Sequence, residues 1–217
     1  MSSEHERPHG GVKPPGHDVA HWDARYAHSE RLWSPSPNAT IAEIAGPLQP
    51  GHAVDVGAGE GRHAVWLAAL GWSVTAVDFS EVGIDRGRRE AESRGIPVQW
   101  VVADVREWAP STGTTYDLVL VAYLHLEGDV LSRARDWLAP GGRLVVLGHA
   151  RRNLTDGVGG PQDPRLLHTE EQLRAAAGGL RVERLGEVLR PTPEGDAIDI
   201  VLVARNAGPS PSDGGEH

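Results

Sequence analysis

Five short runs rich in valine, each parted from the next by a longer amphipathic stretch, restrict this chain to few architectures. Runs that are apolar on successive residues suit strands buried on both faces, and the stretches between them suit helices covering those faces. His52-Ala-Val-Asp-Val56 is the first expected strand, followed by Trp72 to Val77, Val98 to Val102, Tyr116 to Ala122 and Arg143 to Gly148. Helices are expected over Arg62 to Leu70, closed by Gly71, over Glu81 to Arg94, stopped by Gly95, and over Val130 to Leu138. Ala139-Pro-Gly-Gly142 is expected as a break ahead of the fifth strand. Further on, Thr169 to Ala177 is a helix that its own threonine can cap. Leu180 to Arg190 and Ala197 to Arg205 are strand-like runs joined by Pro191 to Asp196, a link too short for a crossover helix, so they form an antiparallel hairpin. The fold class that follows is α/β: a doubly wound, mostly parallel, seven-stranded sheet with a C-terminal antiparallel hairpin.

The 217 residues allow a single core, and 39% hydrophobic with 24% charged residues is ordinary globular usage. A formal net charge of -9 argues against a phosphate backbone as partner, so no nucleic acid is expected. The absence of cysteine removes disulfides, thiolate nucleophiles and cysteine-ligated metals. Met1 to Gly16 has no apolar stretch of a secretory leader, and no run of about 18 apolar residues occurs, so no membrane partner and a cytoplasmic location are expected. Residues 1–17 and 206–217 are expected as disordered tails around one domain of residues 18–205, with 18–38 as a separate N-terminal segment. His5, His9, His17 and His21 lack tight ligand spacing, and no metal is expected.

A strand that runs into Gly57-Ala-Gly59-Glu-Gly61 and on into a helix is a ligand-binding turn, because glycine lets backbone approach a ligand closely. The spacing is G-x-G-x-G rather than the G-x-G-x-x-G of dinucleotide sites, and Asp55 and Glu60 would repel a diphosphate. A cationic ligand fits better, and the ammonium and sulfonium of S-adenosyl-L-methionine are such charges. The second strand ends at Asp78, where doubly wound nucleotide folds place an acceptor for ribose hydroxyls, and Phe79 beside it offers a face to adenine. The third strand ends near Asp104-Val105, a carboxylate and a backbone N–H suited to an adenine edge. Each acid taken singly is equally well a solvated loop residue or a helix cap.

Ala53 to Ser80, AVDVGAGEGRHAVWLAALGWSVTAVDFS, resembles the first two motifs of class I S-adenosylmethionine-dependent methyltransferases. VVADV, YDLVLVAYLHL and LAPGGRLVVLGHA resemble the third, fourth and fifth strands of the same superfamily, and the likeness covers about Thr40 to Arg205. Within it, the GEGR loop and the G-W-x-V-T-A-V-D-F-S strand look most like small bacterial tellurite-resistance and thiopurine-type enzymes. The resemblance implies that Asp55 and Gly57 hold the methionine moiety of the donor, Asp78 the ribose, and Asp104 with Val105 the adenine. Gly59, Gly61, Arg62, Phe79 and Ala122 complete the expected donor site.

In-line displacement at an activated sulfonium needs aligned partners more than a catalytic triad. The acceptor, expected to be a small molecule presenting sulfur, selenium, tellurium, oxygen or nitrogen, belongs over the ends of the fourth and fifth strands. Tyr123, His125 and His149 are the candidate catalytic residues there, with either histidine as a base or as a structural residue. Arg151 and the aromatic residues Trp22, Tyr26 and Trp33 are candidate acceptor contacts. Residues 18–38 then form a lid, or Trp22 and Tyr26 pack on the sheet as one helical face. The loop Asn153 to Pro164 lies on the side that closes over an acceptor. Two other readings are a donor-binding domain without transfer activity and a nicotinamide-dependent oxidoreductase, the latter at odds with the loop spacing.

Overall fold

The computed structural model describes residues 19–28, 36–124 and 129–208. In chain order these hold α1 (Val19–His28), α2 (Ala39–Ala45), β1 (His52–Val56), α3 (Arg62–Ala69), β2 (Ser73–Asp78), α4 (Glu81–Ser93), β3 (Gln99–Val102) and β4 (Tyr116–Ala122). They continue with α5 (Val130–Arg135), β5 (Leu138–His149), α6 (Asn153–Asp156), α7 (Glu170–Ala176), β6 (Arg181–Thr192) and β7 (Gly195–Arg205). One seven-stranded sheet runs in the order β3-β2-β1-β4-β5-β7-β6, with β5, β7 and β6 paired antiparallel and the rest parallel.

Period-two alternation along each strand sends neighbouring residues to opposite faces. Val54, Val56, Val119, Val121, Leu144 and Val146 join one core, and Ala53, Leu118, Leu120, Val145 and Leu147 join the other. Two buried faces explain why these strands read as continuous apolar runs. Trp66, on α3, lies against the second core, and Trp137 packs in the first from the turn before β5, because α5 ends at Arg135 rather than at the expected Leu138. No helix among the described residues is long and apolar enough to cross a membrane.

Local chemistry sets the element ends. Asn38 accepts from the Thr40 N–H at 2.8 Å and caps α2, Ser80 accepts from Gly83 at 3.1 Å and caps α4, and Thr169 with Gln172 forms a reciprocal capping box on α7. The loop Asn153 to Pro164 is more ordered than its composition suggests. Asn153, 3% exposed, accepts from the Ile198 N–H at 2.6 Å and donates to the Gly159 carbonyl at 2.9 Å, tying the loop to β7.

Two boundaries differ from the sequence expectation. β5 starts at Leu138, so Ala139-Pro-Gly-Gly142 is an irregularity inside the strand rather than a break before it. Leu138 pairs with Tyr116 and Arg143 already with Leu118, and the surplus residues bulge outward through Gly141 at φ +85°. The hairpin is also tighter than Pro191 to Asp196, because Thr192 pairs with Gly195 and leaves a two-residue turn of Pro193 and Glu194. Asn206, assigned by sequence to the tail, exchanges backbone hydrogen bonds with Gly141 and Gly142 and extends the described fold beyond β7.

Candidate active site

The donor cleft is made by the turn out of β1. Gly57 and Ala58 donate to the Val77 carbonyl at 2.8 and 3.0 Å, which swings the chain across the ends of β1 and β2. Gly57, Gly59 and Gly61 take φ values of +75°, +56° and +70°, a conformation that costs any L side chain roughly 1–2 kcal/mol. At Gly57 a Cβ would stand 2.6 Å from Leu124 Cδ1, and both residues line a cleft of about 750 Å³. A side chain at 57 would therefore push Leu124, itself a wall of the cleft, out of place.

Asp78 organises this turn from the end of β2. One carboxylate oxygen accepts from the Gly59 N–H and the other from the Ser80 N–H, each at 2.8 Å. Burial raises the Asp78 pKa, and these backbone donors oppose that shift. Each oxygen keeps a second lone pair, and Asp78 with Phe79 forms part of the cleft wall, as does Ala122. Asp78→Ala is expected to orphan two buried N–H groups at roughly 1–3 kcal/mol apiece. Titration calorimetry should show donor affinity weakened about tenfold to a hundredfold.

α1 closes the other side. Tyr26 is 4% exposed and so near the glycine turn that a Cβ on Gly59 would lie 2.4 Å from its hydroxyl. Asp23 accepts from Ser80 Oγ at 2.5 Å, and Trp22 stands beside Tyr26 with ring centroids 5.9 Å apart. Tyr26 packs against the fold, and Trp22 and Tyr26 wall the cleft.

Asp55 sits behind the cleft wall rather than on it. It is 1% exposed, takes one hydrogen bond from the Ala64 backbone, and its Oδ2 has no partner among the described residues. Burial pushes its pKa up to about 7, with the Ala64 bond and the Arg62 charge pulling the other way and Asp78 adding to the rise. Arg62 and His63 reach the cleft from the first turn of α3. His63 Nε2 accepts from the Asn38 N–H at 3.3 Å, and burial beside Arg62 pulls its pKa down to about 3, so it is a neutral acceptor.

A second cavity, about 1430 Å³ and open to solvent, adjoins the first across Trp22, which lines both. Its walls are α1, the loop 158–163 and the β6–β7 hairpin. Between the two cavities stands a buried polar cluster. Tyr123 leaves β4 at φ +54°, the one non-glycine residue with positive φ among those described. Such strain persists where the surroundings fix it. Its N–H donates to Leu147 at 2.7 Å, and its hydroxyl donates to Asp199 Oδ2 at 2.5 Å and accepts from Asn38 and Arg190 at 3.0 and 3.2 Å. Burial and the Asp199 charge raise its pKa, so Tyr123 is a fixed phenol and not a base. Arg190 Nε donates to Asp199 at 2.7 Å, and His149 Nδ1 lies 3.1 Å from Asp199 Oδ1. Burial alone would raise Asp199, which is 1% exposed, but His149, Arg190 and Tyr123 together hold its carboxyl below the usual value.

The structure thus gathers Trp22, Tyr26, Gly57, Gly59, Arg62, Asp78, Phe79, Ala122 and Tyr123 around the first cleft and places His149 on the second. Gly61 is packed instead under Trp100, 2.3 Å from where its Cβ would be. Asp104 is not on the cleft wall: Arg106 holds both of its oxygens, with Nε at 2.9 and 3.0 Å. The Val105 side chain is 1% exposed in the core, which leaves its backbone alone for a ligand. Arg151, in the turn between β5 and α6, lines neither cavity but a groove beside Leu124 and α7. Glu60 lines the first cleft, with Arg86 at 3.0 Å offsetting its charge. His125 and Trp33 lie outside the described residues. Asp199, Arg190, Asn38 and His63 were not found from sequence. Only the hairpin register, which pairs Asp199 with His149, could have flagged the first of them.

The methyltransferase-domain family matches residues 53–142, from β1 into β5. A ubiquinone biosynthesis O-methyltransferase of Caulobacter sp. (strain K31) is 30% identical over 104 residues, 46% of this chain and 41% of the relative. A tRNA 5-carboxymethoxyuridine methyltransferase of Escherichia coli (strain K12) is 33% identical over 122 residues, covering 54% of this chain and 46% of the relative. The chain therefore spans less than half the length of these curated relatives. Over the whole fold it superposes, at a TM-score of 0.67 and 25% identity, on a structure solved for the conversion of a disulfide bond into a thioacetal group during echinomycin biosynthesis. That match covers 90% of this chain and 98% of the other. The strand order, the glycine turn and the acid closing β2, together with these likenesses, support a class I S-adenosylmethionine-dependent methyltransferase.

Proposed function

We propose that the protein binds S-adenosylmethionine in the cleft between the glycine turn and α1 and transfers its methyl group to a small organic acceptor in the adjoining cavity. The observation that carries this is the adjacency of the two spaces: Trp22 is common to both, and the Tyr123 and His149 rings, one on each wall, have centroids 5.2 Å apart. The donor supplies a methyl group on a cationic sulfur. The residues present suit it, with a glycine cradle that a Cβ would fill, an acid at the end of β2 and a buried Asp55 oxygen without a partner. Arg62 and Asp55 oppose each other beside that cradle, so a cationic ligand would compete with Arg62 for the carboxylate.

α1 and Tyr26 exclude water from the turn, and Tyr123 holds the partition between donor and acceptor through its hydroxyl bonds. This is the positioning role that displacement at a sulfonium requires. A net charge of -9 supports a small-molecule acceptor over nucleic acid. Purified protein incubated with S-adenosylmethionine and a panel of oxygen, nitrogen, sulfur and selenium nucleophiles is expected to form S-adenosylhomocysteine with at least one of them. Saturable donor binding without any product across the panel would favour a binding domain. No donor binding on folded protein would end the reading.

A further inference from the structure

We propose that the acceptor is an organic hydroxyl compound, and that His149, positioned by Asp199, takes its proton as the oxygen takes the methyl group. This rests on the reading that the two cavities hold donor and acceptor.

His149 and Asp199 are direct cross-strand partners at the C-terminal end of β5. Asp199 Oδ2 is occupied by the Tyr123 hydroxyl at 2.5 Å and Arg190 Nε at 2.7 Å, while Oδ1 takes a long hydrogen bond from Arg190 Nη2 at 3.4 Å and faces His149 Nδ1 more closely, at 3.1 Å. A carboxylate offers only lone pairs, so this arrangement favours the proton on Nδ1 and leaves Nε2 as the basic nitrogen. The Nε2 edge turns to the acceptor cavity. Gly160, on the loop that walls that cavity at φ +76°, would carry a Cβ 3.0 Å from Nε2. Glycine at 160 thus keeps the basic edge uncovered.

A thiol, selenide or telluride acceptor ionises readily by itself, and a buried carboxylate–imidazole pair would have no task with it. A hydroxyl with a pKa near that of phenol, about 10, needs a base as it reacts. The cavity agrees, since Trp22, Val158, Pro161 and Leu166 give it flat apolar walls on a scale suited to an organic molecule rather than a small oxyanion. Proton and electrons balance: the acceptor O–H proton goes to Nε2, an oxygen lone pair forms the bond to the methyl carbon, and the C–S electron pair stays on sulfur.

The groups that face His149 are Asp199 on β7, Tyr123 on β4 and Arg190 on β6, with His168 close to its ring through charge. His21 and Arg25 on α1, with Asp163 and Glu194, line the same cavity. His168 is half-buried and stays neutral, its pKa pulled down to about 4 by desolvation and by His149.

The test compares catechol and thiophenol as acceptors in the full chain, in His149→Asn and in Asp199→Asn, with S-adenosylhomocysteine formation followed across pH. The catechol-to-thiophenol turnover ratio is expected to fall about tenfold to a hundredfold in His149→Asn, with loss of the acid limb of the catechol profile. Asp199→Asn should move that limb. Nitrogen-15 histidine spectra of the wild-type protein, recorded without any acceptor, should show His149 protonated on Nδ1 and changed by Asp199→Asn. Should Asp199→Asn fail to fold, His149→Asn and the wild-type spectrum decide. A ratio unmoved by His149→Asn, thiophenol turnover with none for catechol, or an Nε2-protonated His149 would overturn the proposal while leaving methyl transfer standing. Absence of donor binding would instead remove the reading beneath it.

Discussion

Gly59→Val is expected to weaken binding of S-adenosylmethionine and S-adenosylhomocysteine by more than about a hundredfold, with a lowered melting temperature. Two costs coincide at this position. A β-branched side chain at φ +56° is strained by roughly 1–2 kcal/mol or more, and its Cβ would press within 2.4 Å of the Tyr26 hydroxyl. Tyr26 is 4% exposed, so relief requires α1 to lift or the turn to move. Moving the turn pulls the Gly59 N–H off Asp78, which it meets at 2.8 Å. Gly59→Ala carries the strain with less bulk and should fall between wild type and valine. Calorimetry with S-adenosylhomocysteine checks both, and affinity within threefold of wild type for the valine variant would show that the ligand lies elsewhere.

The second large effect concerns pH. Asp55 has a folded pKa of about 7 against a reference of 3.8, so the folded state holds a proton that the unfolded state has lost. Its contribution to stability is full below about pH 4 and disappears as pH rises through 7, the reverse of the usual salt-bridged carboxylate. At about 1.4 kcal/mol per unit, Asp55→Asn should gain about 2–3 kcal/mol on wild type between pH 5 and pH 8. Urea denaturation of both proteins at the two pH values measures that difference of differences. A parallel response in the two proteins would mean that Asp55 is ionised throughout, with a partner the apo fold does not show. The same substitution should weaken donor binding, because the neutral amide no longer attracts a cationic ligand.

The sheet was legible because each strand carries its own signal. β1 and β4 have the limits that sequence sets for them, and α3 and α4 stop where Gly71 and Gly95 take positive φ. Composition failed at β5, since Pro-Gly-Gly reads as punctuation, while the bulge opposite Tyr116 is visible only once the neighbouring strand is in place. The same divide runs through the site. The glycine turn and Asp78 are local in sequence and were readable there. Asp199 and Arg190 are remote from Tyr123 along the chain and meet it only through strand order and hairpin register, which alternating hydrophobicity does not specify. Asp104 has a local partner instead, Arg106 two residues on, which strand patterning does not single out. Arg151 lies in the turn after β5 and faces a different groove.

The position of β7 bears on how the protein is made. It is the last strand among the described residues yet lies inside the sheet, between β5 and β6. During synthesis the free edge of β5 therefore stays bare until residues 195–205 have left the ribosome, and β6, whose only strand partner is β7, waits for the same residues. An unpaired edge is an invitation to pair with another nascent chain. The donor half can take shape early, whereas His149 acquires its carboxylate only once β7 has been made.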